Sequence, residues 1–197
     1  MFRSAIVAAL LFLMPAVAAA ESIQKIVVAG GCFWCVESDF EQVDGVIEAV
    51  SGYAGGSADT ATYSRILKGG TGHYEVVEIT FDADTVSRDR LYDLFFRSID
   101  PTDDGGQFCD RGASYRTAIF AQDSADRAAA RAALAKAQLE LGEAIVTEVH
   151  DLQAFYPAEK YHQDFYKKSP VRYKTYRKGC GRDKRVRQLW GSAAPFA

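Results

Sequence analysis

Lys25-Ile26-Val27-Val28-Ala29-Gly30-Gly31-Cys32-Phe33-Trp34-Cys35-Val36-Glu37 is the stretch from which the fold is read. Ile26 to Ala29 is a short apolar run without alternation, the pattern of a buried strand. Gly30-Gly31 breaks it and lets the backbone turn sharply. A helix is expected from Cys32 to about Gln42, closed by Val43-Asp44-Gly45. The stretch therefore reads as strand, glycine turn, helix.

Downstream residues extend this unit. Val46 to Tyr53 alternates as a second strand, and Gly52, Gly55 and Gly56 mark the loop after it. Thr60 is placed to cap a short helix through Leu67. Tyr74 to Phe81 (YEVVEITF) is the clearest strand in the chain. Ser87 reads as the N-cap of a helix to about Ser98, with Leu91, Leu94 and Phe95 on one face. Asp100 to Ser114 is loop, and Tyr115 to Ala121 a strand. Ser124 to Leu141 is an Ala-rich helix stopped by Gly142. Ala144 to Val149 is a further strand and Pro157 to Tyr166 a short aromatic helix. The remainder is a basic tail carrying Cys180. The order β-α-β-β-α-β, then α-β, gives an α/β fold of the α+β two-layer sandwich kind. Its core is a ferredoxin-like split βαβ with a C-terminal extension.

The chain has 197 residues, 48% of them hydrophobic, enough for one sizeable core. A net charge of −3 argues against a dedicated nucleic-acid binder. Residues 1–20 (MFRSAIVAALLFLMPAVAAA) carry Arg3, an apolar centre and Ala18-Ala19-Ala20 before Glu21. That is the pattern of a signal peptide cleaved near Ala20, leaving residues 21–197 as a single domain in the periplasm or outside the cell. The apolar stretch is short for a membrane anchor, and no later segment is long and apolar enough, so no stable membrane insertion is expected.

Cys32 lies where a strand ends and a helix begins. Unpaired N–H groups and the positive end of the helix dipole meet there, so its thiolate is expected to be stabilised. Phe33 and Trp34 offer an aromatic surface suited to a small apolar group such as an S-methyl. His73, His150 and His162 are scattered and form no metal-ligand spacing with the cysteines, so no metal is expected.

GCFW after an apolar strand resembles the peptide-methionine sulfoxide reductases of the A type. Further blocks agree in order: SGYAGG (51–56), ATYSRI (61–66), GGTGHYEVVEITFD (69–82), DPT (100–102), DRGASYRTAIF (110–120) and AEKYHQDFYKK (158–168). The resemblance implies reduction of methionine S-sulfoxide, free or in oxidised proteins. Cys32 would be the nucleophile, Phe33 and Trp34 the floor for the sulfoxide methyl, and Glu75 the acid that protonates the oxygen. Tyr63 and Tyr115 would be the phenols that bond that oxygen, and Asp110 a polar residue that orients substrate or water. It also implies a thioredoxin-like dithiol as electron source, no other cofactor, and a monomer. The physical demands agree, because a sulfoxide oxygen gains basicity as a thiolate attacks sulfur and then needs a proton and fixed donors. A carboxylic acid supplies that proton near neutral pH if apolar surroundings raise its pKa, and Glu75 lies among Val76, Val77, Ile79 and Phe81. The family often has a His before Asp-Pro-Thr; here that residue is Ile99, and the segment Asp103 to Cys109 also departs from the usual pattern.

Attack by Cys32 leaves a sulfenic acid that a second thiol must resolve. Cys180 is favoured, on a Gly-flanked tail with Arg177, Lys178, Arg182 and Lys184 nearby. Cys35 and Cys109 are the alternatives, and Cys109 with Cys180 also reads as a plain structural disulfide. The rival function is a periplasmic thiol–disulfide oxidoreductase using the Cys32/Cys35 CxxC. Against it, Phe-Trp fills the motif without a Pro, and no Trp precedes Cys32. A secreted binding module with two structural disulfides leaves GCFW and the Tyr/Glu set unexplained.

Overall fold

Ile26 to Gly30 are buried because their strand has a neighbour on each side and a layer over each face. The computed structural model describes residues 22–197; the expected leader lies outside the described residues. In chain order the elements are β1 (Ile23–Gly30), α1 (Phe33–Phe40), β2 (Val46–Ala54), α2 (Tyr63–Ile66), β3 (Tyr74–Asp82) and α3 (Arg88–Phe96). A short hairpin follows, β4 (Gly106–Gln107) and β5 (Asp110–Arg111), then β6 (Thr117–Ala121), α4 (Ser124–Leu141), β7 (Glu148–Asp151) and β8 (Phe155–Pro157). The chain closes with α5 (Phe165–Lys168), α6 (Pro170–Gly179) and α7 (Arg182–Trp190).

The main sheet runs β7-β6-β1-β3-β2-β8. Its inner four strands, β6-β1-β3-β2, pair antiparallel throughout, which is the expected split βαβ order. β7 adds parallel to β6, and β8 adds antiparallel to Gly52–Ala54 of β2. The period of two divides β3 between two layers. Val77, Ile79 and Phe81 face α1 and α3, meeting Val36, Phe40, Leu91 and Phe95. Tyr74 and Val76 face the other side with Val27, Ala29 and Phe120. Glu75 shares the phase of Val77, so its carboxyl is on the helical side and is buried.

Helix ends follow the capping chemistry. The Ser87 hydroxyl accepts the Arg90 N–H at 3.2 Å, and Gly142 closes α4 in the left-handed region at φ 66°. Asp123, not singled out in the sequence, caps α4 by accepting the Asp126 N–H at 2.8 Å.

Two expectations are corrected. Residues 157–166 do not form a helix; Phe155–Pro157 is an edge strand, turns follow, and helix resumes at Phe165. Pairing with exposed β2 backbone outweighs the local aromatic pattern. The basic tail is not a tail either. Arg182, Val186 and Trp190 recur every four residues along α7 and are all buried, so the helix lays an inward stripe on the core beneath a basic exterior. Ile99, where the family often has His, is fully buried, and its carbonyl accepts the Trp190 indole N–H at 3.4 Å.

Candidate active site

The β1–α1 turn sets the nucleophile. Gly31 sits at φ +79°, and a Cβ there would lie 2.5 Å from Gln107 Cβ, so only glycine lets the turn seat against the β4 strand. Gln107 is buried and brackets Asp100, accepting its N–H at 2.9 Å and donating to its carbonyl at 2.7 Å. Cys32 occupies the N-cap of α1, with its carbonyl taking the Cys35 N–H at 3.1 Å.

Cys32, Phe33, Trp34, Tyr63, Glu75, Asp110, Tyr115 and Tyr176 line one pocket of about 120 Å³. Every expected catalytic and substrate-contacting residue is therefore brought together. Trp34 is fixed by stacking on Phe165 at 3.8 Å between ring centres and by donating to His162 Nδ1 at 3.1 Å. Tyr63 is held through its backbone N–H, which donates 2.9 Å to Glu159 Oε1. Tyr115 ends a short 3-10 turn (Ala113–Tyr115) just before β6, not within the strand as expected.

Burial pushes the Glu75 carboxyl up to about 8, against the lowering effect of the Phe33 N–H that it accepts at 3.1 Å. At neutral pH it is mostly a neutral acid. Burial also raises the phenols, Tyr63 to about 12 and Tyr115 further, so both remain O–H donors. Burial raises Asp110, opposed by the Tyr176 hydroxyl that donates to its Oδ2.

The expected lowering of the Cys32 pKa is corrected. Burial, and Cys35 beside it, push the Cys32 thiol well above its ordinary value, with Tyr176 as the lowering contact. Desolvation outweighs what the first turn of α1 returns. Cys35 moves the other way, lowered by the hydrogen bond from Cys32 and by the Arg182 and Arg177 charges. Both sulfurs are buried and free. Cys180, by contrast, caps the ordered helix α6 and is bonded to Cys109.

The sequence model of the family described as peptide methionine sulfoxide reductase matches residues 24–194. The chain belongs to this family, in its A type. It is 52% identical over 183 residues to peptide methionine sulfoxide reductase MsrA 2 of Rhizobium meliloti, covering 93% of this chain and 91% of that one. The crystal structure of reduced Mxr1 from Saccharomyces cerevisiae superposes with a TM-score of 0.73 at 30% identity, covering 76% of this chain and 87% of that one. Mxr1 in complex with Trx2 superposes at 0.52 and 25% identity, covering 79% and 89%.

For a sulfoxide reductase, three residues passed over as site residues in the sequence matter to this pocket. Tyr176 lines it directly, and its phenol contacts both Asp110 and Cys32. His162 accepts from Trp34, and Glu159 fixes Tyr63 while also accepting the Tyr53 hydroxyl at 2.9 Å. Glu159 and His162 lie in the AEKYHQDFYKK block, which points to them as a segment without giving their contacts. Tyr176 carries no such signal, being one aromatic among basic residues.

Proposed function

We propose that Cys32 reduces methionine S-sulfoxide to methionine and that Cys35 closes the recycling disulfide. The observation that carries this reading is the buried, neutral Glu75 in one small pocket with Cys32, an aromatic floor and three phenols. The sulfoxide methyl lies on Phe33 and Trp34, and its oxygen accepts from Tyr63 and Tyr115. As Cys32 sulfur attacks the substrate sulfur, Glu75 gives its proton to the oxygen. The thiol proton leaves in the same step and ends on the Glu75 carboxylate, which returns to its acid form. The hydroxyl then passes from the substrate sulfur to the Cys32 sulfur as the bond between the two sulfurs breaks, so that methionine departs and Cys32 becomes a sulfenic acid.

Cys35 sulfur then attacks Cys32 sulfur, forming the Cys32–Cys35 bond and releasing water. Cys35 is chosen over Cys180 because it touches Cys32, whereas Cys180 is bonded to Cys109. A thioredoxin-type dithiol restores both thiols and leaves as its own disulfide; the yeast relative's structure with Trx2 supports a donor of that kind. We further propose a monomer exported through residues 1–20 and working in an oxidising compartment, without a bound cofactor.

The test is methionine formation from a sulfoxide peptide driven by dithiothreitol, with insulin reduction measured in parallel. Turnover of the sulfoxide that disappears in Cys32→Ser supports the proposal. Insulin reduction without sulfoxide turnover overturns it in favour of a thiol–disulfide oxidoreductase.

A further inference from the structure

The Cys109–Cys180 bond joins positions 71 apart, and each end stands next to one half of a pair that walls the pocket. Cys109 directly precedes Asp110. Cys180 follows Tyr176 by one turn of helix, on the same face. The Tyr176 hydroxyl donates to Asp110 Oδ2 and also contacts the Cys32 sulfur.

The element that carries Asp110 needs such a fastening. The β4–β5 hairpin has two residues in each strand, far too short to hold its own shape. Its base is held by Gln107 against Asp100. Its tip, Phe108-Cys109, turns through a left-handed residue, Phe108 at φ 56°. Both tip residues are tied to the corner between α6 and α7. Phe108 lies under the Arg182 guanidinium, 4.9 Å from its ring centre, and Cys109 is bonded to Cys180. Arg182 itself is anchored to the Gly30 carbonyl at 3.1 Å, immediately before the β1–α1 turn. The C-terminal helices have separate anchors in Val186, Trp190 and the Arg177–Asp39 ion pair at 2.6 Å. What the disulfide adds is the attachment of the hairpin tip.

We propose that the Cys109–Cys180 disulfide is a positioning clamp for the substrate pocket: it holds the hairpin tip against the α6–α7 corner so that Asp110 and Tyr176 meet beside Cys32. The identity of the bound substrate rests on the sulfoxide-reductase reading, while the clamp itself does not. Opening the bond with a dithiol, which becomes a disulfide as Cys109 and Cys180 become thiols, separates Asp110 from Tyr176 and removes the phenol from Cys32.

The experiment compares wild type, Cys109→Ala/Cys180→Ala, Tyr176→Phe and the triple variant. The first readout is the pH dependence of alkylation at Cys32 by iodoacetamide, followed on the Cys32 peptide by mass spectrometry. It needs no sulfoxide chemistry, so its outcome is separable from that of the proposed reaction. The clamp predicts that the midpoint moves to higher pH in the double variant, moves similarly in Tyr176→Phe, and moves no further in the triple variant. The second readout is single-turnover sulfoxide reduction without reductant, with the half-saturating substrate concentration raised about ten-fold in the double variant, the effect of about one lost hydrogen bond. A double variant that melts lower yet keeps the wild-type alkylation profile overturns the clamp and leaves a plain staple. Additive shifts in the triple variant overturn it as well. If the double variant does not fold, wild type whose Cys109–Cys180 bond has been opened with a dithiol, then freed of it, decides: an unmoved midpoint sinks the proposal, and a raised one supports it.

Discussion

Replacing Glu75 with Gln separates its chemical role from its structural one, because the two predict opposite signs. The side chain is buried on the helical face of β3, and burial raises its carboxyl from 4.5 to about 8. Holding that proton at pH 7 against the ordinary carboxylic value costs the fold about 3 kcal/mol. The sign follows from a folded pKa above the unfolded one: the cost is absent below about pH 4.5, grows as pH rises, and levels off above about pH 8. Gln carries no such cost, and its amide oxygen still accepts the Phe33 N–H. Glu75→Gln is therefore expected to match wild type in stability near pH 4 and to exceed it at pH 7 by up to about 3 kcal/mol. Chemistry moves the other way, since the amide has no proton to give, and the single-turnover rate should fall by about 10²–10⁴-fold. The wild-type rate should decline as pH rises through about 8, and that decline should vanish in the variant. Rapid-quench measurement of methionine formed without reductant, beside denaturation at two pH values, reads both. A variant with near wild-type single-turnover rate refutes the role of Glu75 as the acid.

Cys35→Ser should still release about one equivalent of methionine per enzyme and then stall with a thioredoxin-type donor, because Cys32 sulfenic acid finds no neighbour to bond; full donor-driven turnover would point to another resolving thiol. Gly31→Ala should lose at least about 1–2 kcal/mol from its left-handed backbone, with more from crowding Gln107; an unchanged melting temperature would show that the turn tolerates a side chain. Protein recovered from an exporting host should begin near Glu21, checked by mass of the intact chain, and a cytoplasmic form retaining Met1 would remove the export proposal.

The core of the fold was readable because its signals are local. Ile26 to Ala29 carries no polar residue, and Glu75 keeps phase with Val77, Ile79 and Phe81, so its inward orientation follows from the period of a strand. The C-terminal third was misread for a physical reason. Arg182 heads the buried stripe of α7, and its burial depends on the Gly30 carbonyl, the Phe108 ring and nearby Asp39, partners 74 to 152 positions away in sequence. Charge density in the sequence therefore resembled a solvated tail. The Cys32 pKa went the wrong way for a related reason: the helix start is visible in sequence, but the covering by Phe165, Tyr173 and Tyr176 that desolvates the thiol is not. Tyr176 became a site residue only once α6 was laid over the pocket.

In the proposed reaction Cys32 takes the sulfoxide oxygen and passes oxidation to Cys35. Its most direct measurement starts from enzyme whose Cys32 and Cys35 are thiols and whose Cys109–Cys180 bond is intact, mixed with excess sulfoxide peptide and no reductant. Methionine is counted and disulfides are mapped by mass spectrometry. About one equivalent of methionine, a new Cys32–Cys35 bond and an unchanged Cys109–Cys180 bond are expected. Absence of methionine, or a bond from Cys32 to Cys180, contradicts that reaction.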